Sequence, residues 1–292
     1  MYLNLHPISD LFPSIFESNS NPMEHKEFTL GSSVYGQCWL VEEPKAVVGI
    51  IHGMGEHSGR YNYVVDALNA ANISVVSYDQ FGHGKTKGKR GHVGNYEILL
   101  EYADKLNNKL SELVPGKPKF LFGHSMGGNV LINYLLRSNP KINGAIVSAP
   151  WLRLAFDPPA LQVKLGRLVS GILPGLVQST KLDVNAISSD PKEVQRYTQD
   201  TLVHDKISTA FFVGVYDSGL WAIDNVAKLK TPTLLYHGTK DQLTSHEASK
   251  KFCEDASGDV TFKSLQGFYH ESHNEPGRED LFKMIVEWIS SH

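Results

Sequence analysis

A chain of 292 residues is long enough to bury a sizeable core, and its 41% hydrophobic and 20% charged content is that of a globular protein rather than a disordered or fibrous one. A net charge of −3 argues against a dedicated nucleic-acid binder, which carries a basic excess. Two cysteines, Cys38 and Cys253, are too few for a disulfide framework, and no run approaches the roughly 20 apolar residues that cross a bilayer.

The start, Met1 to Phe16, has neither a basic beginning nor an unbroken apolar stretch, so it does not read as a signal peptide and the expected location is cytoplasmic. Residues 1–26 read as a polar leader. Glu27 to Val41 alternates as an edge hairpin with its turn at Gly31 and Ser32. A repeating pattern follows, in which a short β-branched run leads into a glycine-rich turn and then an amphipathic helix. Ala46 to Ile51 precedes a helix from about Tyr61 to Ala71. Ile73 to Tyr78 precedes a helix from about Tyr96 to Val114. Lys119 to Phe122 precedes a helix reaching about Asn139, and Ala145 to Ser148 forms a fourth strand. Strands buried on both faces and alternating with helices predict an α/β fold, a mostly parallel central sheet with helices on both faces.

The alternation stops at Pro150 and resumes at Thr233 to Tyr236, followed by a helix from about Ser245, the strand Val260 to Leu265 and a last helix from about Asp280. Residues 27–150 and 229–292 therefore predict one core, with 151–228 inserted as a helical cap. Within that cap, Leu161 to Val177 is apolar on most sides, with only Lys164 and Arg167 charged. Such a stretch suits burial against the core, or an acyl tunnel that partly rests on a bilayer.

In parallel sheets, reactive groups gather where loops leave the C-terminal ends of strands. Gly123-His-Ser-Met-Gly127 falls between a strand and a helix, the context in which a G-x-S-x-G turn lifts its serine above the sheet. A serine hydroxyl needs a base, and the base needs a carboxylate to orient it. Asp241 and His270 each follow a late strand, which makes the candidate triad Ser125, Asp241 and His270 in the order this fold uses. Asp255 and Asp259 sit before the last strand, at the wrong end of the sheet, while His273 is the rival to His270. Oxyanion donors are expected from the backbone N–H groups of Met126, directly after the serine, and of Met54 in the glycine loop after the first long strand.

These residues bring a resemblance into view. The stretches His52-Gly-Met-Gly-Glu-His-Ser-Gly-Arg-Tyr61, Asp79-Gln-Phe-Gly-His-Gly84, Gly123-His-Ser-Met-Gly-Gly128, Ser148-Ala-Pro150, Gly238-Thr-Lys-Asp241 and Tyr269-His-Glu-Ser-His-Asn-Glu-Pro276 run in order over residues 27–290. The chain resembles the monoacylglycerol lipase and lysophospholipase-like branch of the α/β-hydrolases, of the serine aminopeptidase S33 type. The resemblance implies a cofactor-independent serine esterase with a helical cap that admits an acyl chain and can dock on a membrane. The substrate it implies is a lipid ester, a monoacylglycerol first and a lysophospholipid or phenolic ester as alternatives. It also implies a polar pocket for the leaving alcohol at Glu56, Arg60, Tyr197 and His273, although Glu56 and Arg60 can equally pair to brace the oxyanion loop. Thr244 stands where mammalian members carry a cysteine, and the loop Lys85 to Arg90 is unusually basic. Asp-nucleophile enzymes of the same fold are excluded by Ser125. A catalytically silent binding protein is disfavoured, because every triad and oxyanion element is present.

Overall fold

The computed structural model describes residues 23–292. The signal-peptide reading falls on residues 1–22 and lies outside the described residues. The edge hairpin is present and starts three residues earlier than expected, as β1 (Glu24–Leu30) and β2 (Val34–Leu40). The predicted alternation then appears as β3 (Ala46–Ile51), α1 (Asn62–Ala70), β4 (Ile73–Tyr78), α2 (Glu97–Leu113), β5 (Lys119–His124), α3 (Met126–Ser138) and β6 (Gly144–Ser148).

The chain then makes α4 (Ala160–Ile172), β7 (Val177–Ser179), α5 (Pro191–Gln199), β8 (Lys206–Ser208) and α6 (Thr209–Asp224) before returning to the sheet. It closes with β9 (Thr233–Gly238), α7 (His246–Asp255), β10 (Val260–Leu265) and α8 (Arg278–Ser291).

The eight long strands form one sheet in the order β1-β2-β4-β3-β5-β6-β9-β10. Only the β1–β2 and β2–β4 pairings are antiparallel; the rest are parallel. Strands β3, β4, β6 and β9 are buried along their whole length, and β5 is buried from Phe120 onward, as their apolar runs require when helices cover both faces. Two apolar layers result. One joins α2, α3 and α6 to the sheet through residues such as Leu106, Leu131 and Val215. The other packs α1 and α8 on the opposite face through Val64, Leu68, Phe282 and Ile285.

The chain order reverses at β3, which has β4 on one side and β5 on the other. A crevice opens above such a switch point, and it is where ligands bind in open α/β sheets. The loops after β3 and β5 flank it.

The segment between β6 and β9 holds a feature not anticipated: β7 and β8 form a short antiparallel ladder of their own. The expectation for α4 also needs correction. The helix packs on α6 and has one buried residue, Val163, while Leu161 (77% exposed), Leu165, Leu168 and Ile172 (70%) face outward. None of these residues lines the cavity described below, so α4 forms no part of its wall.

Candidate active site

The turn from β5 into α3 is tight enough to demand glycine on both sides of Ser125. A Cβ on Gly127 would stand 2.0 Å from the carbonyl oxygen of Ile51, and one on Gly123 would stand 2.5 Å from that of Gly127. Ser125 itself has φ 53° and ψ −115°, a conformation that costs an L-residue about 1–3 kcal/mol. The strain is held in place from both sides. The Ser125 amide donates to the carbonyl of Ser148 (2.9 Å), and its carbonyl accepts from the amides of Trp151 (2.9 Å) and Asn129 (3.0 Å). Met126 opens α3, so its N–H is one of the four at a helix start with no acceptor inside the helix, at the positive end of the dipole.

The loop after β3 is braced atom by atom. The amide of Gln80 donates to His52 Nε2 (2.9 Å), which leaves Nδ1–H to donate to the carbonyl of Gly53 (2.7 Å). Burial keeps that imidazole neutral, its pKa pulled down to about 4. The Gly53 amide donates to Glu56 Oε1 (2.6 Å), as does the Tyr61 hydroxyl (2.7 Å). Asp79 ties the next turn down by accepting from the amides of Ser58 (2.8 Å) and Lys85 (2.7 Å). The strings that carry the family resemblance are thus largely the scaffold of the loop that bears Met54.

His270 and Asp241 lie side by side past β10 and β9. His270 Nδ1–H donates to Asp241 Oδ2 at 2.7 Å, and the aspartate side chain is fully buried. Burial opposes ionisation of Asp241, but His270 and His237 beside it hold the carboxyl well below its ordinary range. Burial likewise pulls His270 down, and the neighbouring carboxylate more than offsets it, so its pKa is raised. Ser125 and His270 are on the wall of one cavity of about 360 Å³, together with Met54, Glu56, Tyr197, Glu271 and apolar residues that include Trp151, Leu154, Ile187 and Phe212. A volume of that size suits a small organic ligand, with an apolar wall on one side and a few polar groups on the other.

Of the four residues expected around a leaving alcohol, Glu56 and Tyr197 line this cavity, whereas Arg60 and His273 lie behind its wall. Arg60 forms a bidentate pair with Glu271 (2.6 and 2.8 Å), reaches Glu56 at 3.2 Å and sits 4.6 Å above the Tyr197 ring. Glu271, although buried, is thereby held down to about 2, while burial pushes Glu56 up. His273 is fully buried and stacks on Tyr61 at 4.9 Å, with a pKa lowered to about 4 by that burial. It does not line the cavity, and Asp241 is hydrogen-bonded to His270, which is what separates the two rivals for the base.

Three residues went unrecognised as part of the site. Glu271 was passed over because it adjoins His270 and its partner is 211 positions away. Thr244, noted only as a departure, donates its hydroxyl toward Asp241 Oδ2 (2.9 Å) or the carbonyl of Ala149 (3.1 Å). His237 also touches Asp241, at 2.9 Å. A histidine four residues before the aspartate, at the end of the same strand, was the available signal.

The geometry agrees with what comparison to known proteins finds. Residues 42–277 match the family model described as serine aminopeptidase, S33. The chain is 35% identical over 250 residues to an abhydrolase domain-containing protein of Dictyostelium discoideum, covering 85% of this chain but only 26% of that one. It is 31% identical over 252 residues to a monoacylglycerol lipase of Mycolicibacterium smegmatis, covering 86% of this chain and 90% of that one. The crystal structure of Paleococcus ferrophilus monoacylglycerol lipase superimposes with a TM-score of 0.80 at 35% identity, over 93% of this chain and 99% of the other. Matches that run nearly end to end on both chains place this protein in the serine aminopeptidase S33 family of α/β-hydrolases, in its monoacylglycerol lipase branch.

Proposed function

We propose that the protein hydrolyses carboxylic esters of lipids, monoacylglycerols foremost, through an acyl-enzyme on Ser125. In this reading His270 Nε2 takes the proton of the Ser125 hydroxyl as its oxygen attacks the ester carbonyl, and Asp241 stabilises the imidazolium that forms. The backbone N–H groups of Met126 and Met54 receive the charge that develops on the carbonyl oxygen. His270 then returns the proton to the departing alcohol, and a water activated by the same imidazole releases the fatty acid. No metal or cofactor takes part in these steps. The observation that carries the proposal is the His270–Asp241 hydrogen bond at 2.7 Å on a cavity that Ser125 also lines.

The cavity wall supports a division of labour. Leu154, Ile187 and Phe212 suit an acyl chain, while Tyr197 is the polar group for the alcohol. Glu56 is already committed to Gly53, Tyr61 and Arg60, so its role is to brace the oxyanion loop. The segment 151–228 is the cap in this reading. The outward Leu161, Leu165, Leu168 and Ile172 give it an apolar face for peripheral contact with a bilayer. No helix among the described residues is long and apolar enough to cross a membrane. The names of the Mycolicibacterium and Paleococcus relatives favour glycerol as the alcohol.

The test combines a fluorophosphonate probe with a substrate panel. The probe should label the wild type and not Ser125→Ala, and the panel should rank monoacylglycerols above lysophospholipids and short phenolic esters. Folded protein that resists the probe would refute the enzyme reading, and a preference for lysophospholipids would replace the substrate.

A further inference from the structure

We propose that His237 is a positioning residue of the triad, a second imidazole that shares the Asp241 carboxylate with His270 and sets how strongly that carboxylate holds a charged base. The inference rests on the reading of Asp241 and His270 given above. His237 lies at the end of β9, fully buried, with Nε2 2.9 Å from Asp241 Oδ2 and Nδ1 2.9 Å from the Ser249 hydroxyl on α7. An ionised carboxylate can only accept, so Nε2 carries the proton, and Nδ1 then accepts from Ser249. Burial keeps this ring neutral.

The aspartate is consequently crowded with donors. Its Oδ2 faces His270 Nδ1–H at 2.7 Å, His237 Nε2–H at 2.9 Å and the Thr244 hydroxyl at 2.9 Å. Its Oδ1 accepts the amides of Leu243 (2.7 Å) and Thr244 (3.1 Å). The amides fix the plane of the carboxylate. The Thr244 hydroxyl has a second acceptor in Ala149, whereas His237 has its other nitrogen anchored by Ser249 and finds Asp241 Oδ2 at 2.9 Å, well inside the 3.4 Å that separates it from the Thr244 hydroxyl. His237 thus acts on the same oxygen that meets His270.

A neutral donor on that oxygen does two things. It stops the carboxylate from turning away from His270, and it withdraws charge from the atom that must stabilise the imidazolium. Removing it should leave an aspartate more strongly attached to a charged His270. The base would then be protonated at higher pH, and activity would be lost earlier on the acid side.

Other ionisable groups surround the pair. His246 meets the His237 ring edge-on at 5.6 Å and bonds Ser264, with Glu247 beside it. His124 lies 4.7 Å from the His270 ring and His273 lies beyond it, both kept neutral by burial. Glu271, Glu56 and Arg60 complete the field on the cavity side. All of these groups are present in wild type and His237 variants alike.

The experiment measures kcat/KM for a soluble ester from pH 5 to 9 in wild type, His237→Leu, His237→Gln and Ser249→Ala, with thermal melting as the control for folding. His237→Leu should move the acid limb up by roughly 0.5–1 pH unit. His237→Gln, whose amide can still donate to Asp241, should bring the limb back toward the wild-type position. Ser249→Ala keeps the ring but frees it, and should move the limb the same way by less; it serves as the readout if His237→Leu does not fold. An unchanged limb in a folded His237→Leu or in Ser249→Ala overturns the proposal. So does a His237→Gln profile no closer to wild type than that of His237→Leu, since packing alone would then explain the loss. A wild type without activity overturns the triad reading itself, which separates the two failures.

Discussion

Replacing Arg60 by Met tests whether the charge cluster under the oxyanion loop is a structural necessity. The side chains of Glu56, Arg60 and Glu271 are only 3%, 7% and 4% exposed, so water cannot take the place of a missing partner. Arg60→Met removes contacts of 2.6, 2.8 and 3.2 Å and leaves two carboxylates facing each other in a buried site. Breaking such a pair typically costs about 3–5 kcal/mol. For a chain of this size that lowers Tm by roughly 6–20 °C.

The loss should depend on pH in one direction. In the wild type Glu271 is held down to about 2 by Arg60, so its contribution is present above the unfolded carboxyl range near 4.5 and fades as pH falls toward about 2. Without Arg60, burial raises the folded-state pKa of both carboxyls, and the variant gains stability as they take up protons on the acid side. The gap between the two proteins is then widest at neutral pH and narrows as pH falls through the raised carboxyl range above 4.5 and on toward about 2. Urea denaturation at pH 5 and pH 8 reads this directly. Adding Glu271→Gln should recover part of the loss by removing a stranded charge. A cost below about 1 kcal/mol at neutral pH, or one equal at both pH values, would refute the argument.

Three further expectations concern the nucleophile, the base and the insertion. Ser125→Gly should abolish turnover and probe labelling, yet stabilise the fold by about 1 kcal/mol, because glycine tolerates φ 53° without strain; a variant less stable than wild type by denaturation would contradict the elbow argument. The acid limb of kcat/KM should centre above pH 6.5, since a base must be neutral to act and Asp241 raises His270 above that ordinary value; a limb centred below pH 6 would contradict it. Leu168→Asp with Ile172→Asp should weaken liposome association and turnover of long-chain esters at a membrane at least several-fold, while sparing short soluble esters, because both residues are exposed and distant from the cavity lining; unchanged liposome binding in the folded variant removes the bilayer role.

Much of this was legible in the chain itself, for identifiable reasons. Strands β3 to β6 and β9 are continuous apolar runs bounded by glycine turns, so their burial on both faces was written into composition, and helix limits fell within one to three residues of those expected. The β7–β8 ladder escaped because three residues per strand, among them Gln178, Ser179, Lys206 and Ser208, carry no apolar pattern. The outward face of α4 escaped because a helix apolar on most sides does not reveal which sides find partners. Arg60 was expected around the leaving alcohol and lies behind the cavity wall, because its main partner, Glu271, is 211 positions away, beyond the reach of any local rule. His273 and His270 are the same residue type three positions apart; only a place on the cavity wall and a carboxylate partner distinguish them.

The insertion between β6 and β9 has a consequence for how such a protein can diverge. These two strands are parallel bonded neighbours, so the intervening chain leaves at Ser148, at one end of β6, and re-enters at Thr233, opposite Ala145 near the other end. The two ends of that excursion are tied to the core, since the Trp151 amide holds the Ser125 carbonyl and the Val215 carbonyl accepts from Asn129 on α3. Only the outward part of it, α4 with a single buried residue, is free to change while the reacting groups keep their spacing.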